Sequence, residues 1–222
     1  MSGIVQCAGN PPEDFVPIKA IAINCTLKRS GGEPSSTDKM IQLIAGELEK
    51  HEVELVETIR IADHDIKPGV TSDEGEGDAW PDIRDRILAA DILIFGTPIW
   101  LGQLSSLAKR VLERMDAFLS ETDDRGRLPS FGKLALAAIV GNEDGAHNVT
   151  ASLFQALSDV GWTIPSAGSD YWVGEAMQSV DFKDLPKVPD PVQQDAAMLA
   201  ANAAHLANLL KANPYPGIAQ QK

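Results

Sequence analysis

The chain has 222 residues, and 19 Lys+Arg against 32 Asp+Glu give a formal net charge of −13. A charge of that sign argues against nucleic acid and anionic membranes as partners, because both recruit Lys and Arg. A hydrophobic fraction of 44% excludes intrinsic disorder, and two cysteines cannot build a disulfide scaffold or a four-cysteine metal site.

Residues 1–17 read as an N-terminal extension. The first basic residue is Lys19, so the positive region of a secretory signal is missing. The longest clean apolar run, Leu134 to Val140, falls far short of the roughly 20 residues that span a bilayer. The expectation is a cytoplasmic protein without membrane insertion and with reduced thiols. Cys7 lies in the polar leader. Cys25 ends an apolar run and is expected to be a buried structural thiol.

In chain order, Ile18 to Asn24 (IKAIAIN) reads as a buried strand. Ile41, Ile44 and Leu48 then make a helical stripe. Val53 to Glu57 mixes in acids, as an edge strand does. A short helix starts at Pro81 and carries Ile83 and Ile87. Ile92 to Phe95 is a second buried strand, followed by a stripe of Leu104, Leu107, Val111, Met115 and Phe118. Leu134 to Val140 is a third, followed by Val149, Leu153, Ala156 and Val160. Trp162 to Pro165 is a candidate for the other edge, and Leu199, Ala203, Leu206 and Leu210 mark a last helix. Continuous apolar strands alternating with helices predict a doubly wound α/β fold whose parallel sheet is covered on both faces. One domain over 18–212 accounts for these elements, with 213–222 as a tail.

In such sheets ligands bind beyond the C-terminal strand ends. Three segments sit there. The first runs from Cys25 to Thr37 (CTLKRSGGEPSST) into a helix, with five hydroxyl residues and the pair Lys28–Arg29 in an acidic chain. Hydroxyls and free N–H groups at a helix N-terminus make an anion site. Capping by Ser35 or Ser36 explains one hydroxyl, not five. The nucleotide-triphosphate loop G-x-x-x-x-G-K-[ST] and the dinucleotide fingerprint G-x-G-x-x-G are both absent, so a terminal monophosphate fits better. The second segment is Gly96 to Gly102 (GTPIWLG), a stiff apolar and aromatic wall. The third is Gly141 to His147 (GNEDGAH), with glycine-permitted backbone approach and polar groups. Together they suit a flat, partly polar heterocycle.

These three segments, together with Ser105 to Arg110 and Asp116, resemble the flavodoxin-like NAD(P)H:FMN oxidoreductases and quinone reductases over residues 18–175. The resemblance implies a five-stranded three-layer α/β/α flavodoxin-like sheet of order 2-1-3-4-5 holding non-covalent FMN. It implies NAD(P)H as co-substrate and a quinone or similar small-molecule electron acceptor. It assigns Thr26, Lys28, Ser30, Ser35, Ser36 and Thr37 to the phosphate loop. Thr97, Pro98, Ile99, Trp100, Leu101 and Gly102 become ring contacts, and Gly141, Asn142, Glu143, Asp144, Gly145 and His147 the third loop. Since the flavin carries the redox chemistry, no side-chain nucleophile is required and no catalytic residue is named. A homo-oligomer, dimer or tetramer, is expected, with the long helix from Leu104 and the Ala-rich helix 196–207 as surfaces that permit close subunit packing. Two alternatives stand beside the reductase: a one-electron carrier of flavodoxin type, and a flavin-free interaction module.

Other features read blandly. His51-Glu52 lacks the second histidine of H-E-x-x-H, because Leu55 stands there. The eight acids of 63–85 do not match a calcium loop and read as a solvated surface, so no metal is expected. Adjacent Glu143-Asp144 read as helix N-terminal stabilisation rather than a catalytic dyad. Tyr171-Trp172 either lines the pocket or packs the long connection, with packing the slightly favoured reading.

Overall fold

The computed structural model describes residues 17–175 and 178–218. The expected N-terminal extension with Cys7, apart from Pro17, lies outside the described residues, as does the end of the tail from 219.

The chain runs β1 (Ile18–Asn24), α1 (Ser36–Glu49), β2 (Val53–Arg60), α2 (Trp80–Ala89), β3 (Ile92–Trp100) and β4 (Gln103–Leu104). It continues with α3 (Ser106–Met115), β5 (Leu134–Val140), α4 (Ala146–Asp159), β6 (Ser169–Trp172) and α5 (Asp190–Ala212). The main sheet has the order β2-β1-β3-β5-β6, all parallel. This is the expected flavodoxin-like 2-1-3-4-5 order once the two-residue β4, which pairs antiparallel to β3, is set aside.

The apolar runs follow from burial on both faces. Ile21, Ile23, Leu93, Phe95, Ala135, Ala137 and Ile139 pack against α2, α3 and α4. The alternate residues Ala20, Ala22, Ile92, Ile94, Leu136 and Ala138 pack against α1 and α5. Period-two alternation thus divides one apolar string between two cores. The Ala-rich stripe of α5 (Ala196, Ala200, Ala203, Ala207) is buried in the second core, so close packing by its small residues is spent inside the chain. Helix α3 likewise buries Val111 and Met115 within the first core.

Three expectations need correction. The far edge strand is Ser169–Trp172, not 162–165, where Thr163 makes only an isolated bridge to Leu134. Its polar opening, Ser169-Asp170, hid it from an apolar search. The segment 96–102 is not a plain loop either. Strand β3 runs on to Trp100 and returns through Leu101 and Gly102, both at positive φ (51° and 70°), which is the two-residue hairpin geometry matched to strand twist.

The acidic stretch 63–85 is also not wholly solvated. Asp78 and Arg114 form an ion pair at 2.7 Å with both side chains fully buried. Burial alone would raise the Asp78 carboxyl. Hydrogen bonds from Arg114 and from the N–H groups of Glu74, Trp80 and Lys67 outweigh it and hold the group well below the carboxylate range. Arg114 also donates to the carbonyls of Thr71 (3.0 Å) and Lys67 (2.9 Å), and so pins the whole excursion to α3.

Candidate functional site

A cleft of about 230 Å3 opens at the C-terminal ends of β1, β3, β5 and β6. One end is the N-terminus of α1. Ser35 caps that helix, its hydroxyl accepting from the N–H groups of Thr37 (3.2 Å) and Asp38 (3.4 Å). Thr26, Lys28, Ser36 and Thr37 join Ser35 on the lining. Buried Asn24 orders the turn above β1: its Oδ1 accepts from the Thr26 N–H at 2.9 Å, and its amide donates to Asp38. Gly96 lets α1 come this close. A Cβ there would sit 2.7 Å from Ile41 Cδ1 and 2.8 Å from Thr37 Cγ2.

The opposite wall is Pro98, Ile99 and Trp100 from the end of β3. Thr97, fully buried, does not line the cleft. Its hydroxyl accepts from the Ser105 N–H at 3.2 Å, and Ser105 Oγ in turn donates to the Cys25 carbonyl at 2.7 Å and caps α3. This chain ties the first loop to the second from beneath. Cys25 itself is fully buried, and burial pushes its thiol far up, out of reach of ordinary redox chemistry.

Gly141 and Asn142 close the cleft from the end of β5. The remaining third-loop residues lie elsewhere. Gly145 (φ 127°) packs on Gly102, where a Cβ would come within 2.6 Å of the Gly102 Cα, and Asn148 donates to the Gly102 carbonyl at 2.9 Å. These glycines therefore dock loop three on the hairpin. Asp144 accepts from the Gly145 N–H at 2.7 Å. Glu143 Oε1 is buried with no hydrogen-bond partner among the described residues. His147 is exposed and meets Tyr171 through Nε2 and Oη at 3.1 Å, their rings edge to face. Leu101 projects from the hairpin tip at 91% exposure. Ser30 turns away from the cleft altogether: its N–H and hydroxyl both bind Asp63, which those bonds hold below its ordinary value.

The cleft thus gathers Thr26, Lys28, Ser35, Ser36, Thr37, Pro98, Ile99, Trp100, Gly141 and Asn142. Sequence reasoning missed Leu27, Val140, Asp181 and Phe182 on its lining, and of the two readings it left for Trp172 it leaned away from the lining. Trp172 packs on fully buried Phe182, with ring centroids 5.5 Å apart, and still reaches the cleft, so packing is only half its role. Phe182, a lone aromatic in a polar stretch, was the one available signal for that wall.

A helix N-terminus rich in hydroxyls at one end and a flat apolar wall at the other have the shape and chemistry to hold a phosphorylated heterocycle. Among the described residues no cluster of His, Cys, Asp or Glu could hold a metal ion. No helix is long and apolar enough to cross a membrane.

The chain is 37% identical over 215 residues to the divalent metal cation transporter MntH of Mycobacterium bovis, 93% of this chain but only 31% of that protein. It is 30% identical over 208 residues to the 8-demethyl-8-aminoriboflavin-5'-phosphate synthase of Streptomyces davaonensis, 89% of this chain and 80% of that one. The crystal structure of RosB with bound 8-demethyl-8-formylriboflavin-5'-phosphate matches with a TM-score of 0.80 at 30% identity, covering 90% of this chain and 82% of that one. The model of the NADPH-dependent FMN reductases matches residues 18–177, and the chain belongs to that family of FMN-binding, flavodoxin-like oxidoreductases.

Proposed function

We propose that the cleft holds FMN and that the protein oxidises NAD(P)H and reduces a quinone or similar small acceptor. The observation that carries this reading is the pairing, in one cleft, of the α1 N-terminus with the Pro98–Ile99–Trp100 wall. The residues present fit the group. Ser35, Ser36 and Thr37 offer hydroxyls at the positive end of α1, Thr26 adds a hydroxyl from the turn above β1, and Lys28 adds a cation, half exposed beside Glu33 at 3.4 Å. Pro98, Ile99 and Trp100 offer a stiff surface for a ring, with Gly141 and Asn142 facing them.

When bound, FMN supplies the two-electron redox centre. The protein's part is to hold and orient it and to keep one side open to solvent-borne substrates. At about 230 Å3 the cleft lies just below the roughly 300–1,000 Å3 of enclosed small-molecule sites, which suits a ligand left partly uncovered. Exposed Trp100 and Leu101 on the rim support self-association as a dimer or tetramer, to be read by light scattering.

The test is an absorbance spectrum of the purified protein, followed by anaerobic addition of NADPH or NADH and then a quinone. Flavin bands that bleach with the donor and return with the acceptor, and parallel double-reciprocal lines, are expected. A spectrum that settles at a semiquinone without turnover would favour the one-electron carrier. A colourless protein that takes up no FMN would favour the interaction module.

A second reading is supported by the 30% identity to the aminoriboflavin-phosphate synthase: FMN is the substrate and is itself altered. Mass analysis of flavin extracted after turnover separates the two. An unchanged mass supports the reductase, and a changed mass supports flavin modification.

A further inference from the structure

The far wall of the cleft is built by a segment that carries no family motif. Phe182–Asp184 form one 3-10 turn, clamped onto the first turns of α1. The Lys183 N–H donates to Ser36 Oγ at 3.1 Å, Lys39 Nζ donates to the Leu185 carbonyl at 2.9 Å, and the same ammonium sits 5.2 Å above the Phe182 ring. Phe182 is fully buried. These contacts fix the position of Asp181, the residue before the turn, on the cleft lining. Its Oδ1 accepts from Asn142 Nδ2 at 3.4 Å, and its Oδ2 faces Lys183 Nζ at 3.4 Å. The side chain keeps 41% of its surface exposed, so it has acceptor capacity left.

An ionised carboxylate only accepts hydrogen bonds. Beside an anion-binding helix end it repels phosphate, and Lys183, shared with Asp184, offsets part of that charge. The group that suits Asp181 is therefore a neutral donor on the ligand, such as a hydroxyl. The turn is tied to the α1 N-terminus through Ser36, and Asp181 is tied to the end of β5 through Asn142, so the carboxylate links the helix end to the loop that faces Pro98–Trp100. In FMN the part between phosphate and ring is the hydroxylated ribityl chain. We infer that Asp181, steadied by Asn142 and Lys183, recognises the ribityl hydroxyls of the flavin. The inference rests on the FMN reading above.

The experiment measures dissociation constants by flavin fluorescence for FMN, riboflavin and lumiflavin, the last having the ring without the ribityl chain. Asp181→Ala is expected to weaken riboflavin about tenfold, the scale of a hydrogen bond to a charged acceptor, to weaken FMN by less because the same change relieves repulsion of the phosphate, and to leave lumiflavin within about twofold. Asp181→Asn keeps an acceptor oxygen and is expected to recover most of the riboflavin affinity. Equal losses for lumiflavin and riboflavin would show a mere wall role and overturn the inference, as would unchanged riboflavin binding. Wild-type protein that binds none of the three overturns the FMN reading and this inference with it.

Discussion

The backbone N–H of Lys183 reaches Ser36 Oγ at 3.1 Å, joining residues 147 positions apart. The hydroxyl that sequence reasoning placed toward a phosphate is thus also the anchor for the far wall of the cleft. Ser36 can accept from Lys183 and still offer its own proton inward, so the two roles are compatible. The bond explains how a polar connection with no apolar pattern becomes a fixed surface.

Ser36→Asp keeps an acceptor for Lys183 and adds a negative charge at the α1 N-terminus. Like charges about 4 Å apart repel by ~4 kcal/mol at an effective dielectric near 20, and exposure of the site halves that. FMN affinity should fall about thirtyfold or more, while circular dichroism and the melting temperature stay near wild type. Titration of the stripped protein with FMN reads the outcome, and unchanged affinity would show that this residue does not face the phosphate.

Gly96 is held to glycine by space rather than by φ. In Gly96→Ala the new methyl meets Ile41 Cδ1 at 2.7 Å and Thr37 Cγ2 at 2.8 Å, so α1 must retreat from β3. Overpacking of this kind costs about 1–3 kcal/mol. Urea denaturation should show that loss. Weaker FMN binding should accompany it, because Thr37 moves with the helix.

The fold was legible because burial on both faces writes itself as unbroken runs such as Leu134 to Val140, and amphipathic helices as spaced apolar residues such as Val111 and Met115. Ser169–Trp172 escaped because an edge strand can begin on polar residues, and the β3–β4 hairpin escaped because Leu101 does not advertise a positive φ. The cleft-lining hydroxyls were legible from their density before a helix. Ser30 shows the limit of that signal: Asp63, 33 positions on, captures it, and no local spacing encodes the partner. Trp172, Asp181 and Phe182 reach the cleft only through long-range contacts with α1 and β5.

Asp170 on β6 is buried to 1% exposure, and neither carboxylate oxygen has a hydrogen-bond partner among the described residues. Burial first, and then the charge of Asp195, pushes its pKa up to about 7 from 3.8. The folded pKa exceeds the unfolded one, so folding favours the protonated acid. The group's penalty is absent below about pH 4, grows as pH rises, and levels off above about pH 7. Between pH 5 and pH 8 this removes about 2–3 kcal/mol of stability. Asp170→Asn should abolish that part of the pH dependence. Denaturation curves of both proteins at the two pH values check it, and parallel pH trends would mean the carboxyl titrates normally.

Arg114 is the fully buried tie between α3 and the excursion that follows β2, beside the bond from Arg110 to the Ile66 carbonyl at 2.8 Å. It meets Asp78 at 2.7 Å and serves the carbonyls of Lys67 and Thr71, with no exposed side-chain surface. Arg114→Met fills much of the space but leaves Asp78 charged, buried and without its cation. Breaking one side of a buried pair costs about 3–5 kcal/mol. The double variant Arg114→Met with Asp78→Asn removes the orphan charge and should recover a large part of that loss, which a double-mutant cycle measures. Limited proteolysis adds the local readout. Cleavage between residues 64 and 78 should accelerate in the single variant before the sheet unfolds, because the ties from Arg114 to the carbonyls of Lys67 and Thr71 are gone while both cores are intact. Equal cleavage rates in wild type and variant would show that Trp80 and Ile66, both buried in the first core, hold the excursion without the ion pair.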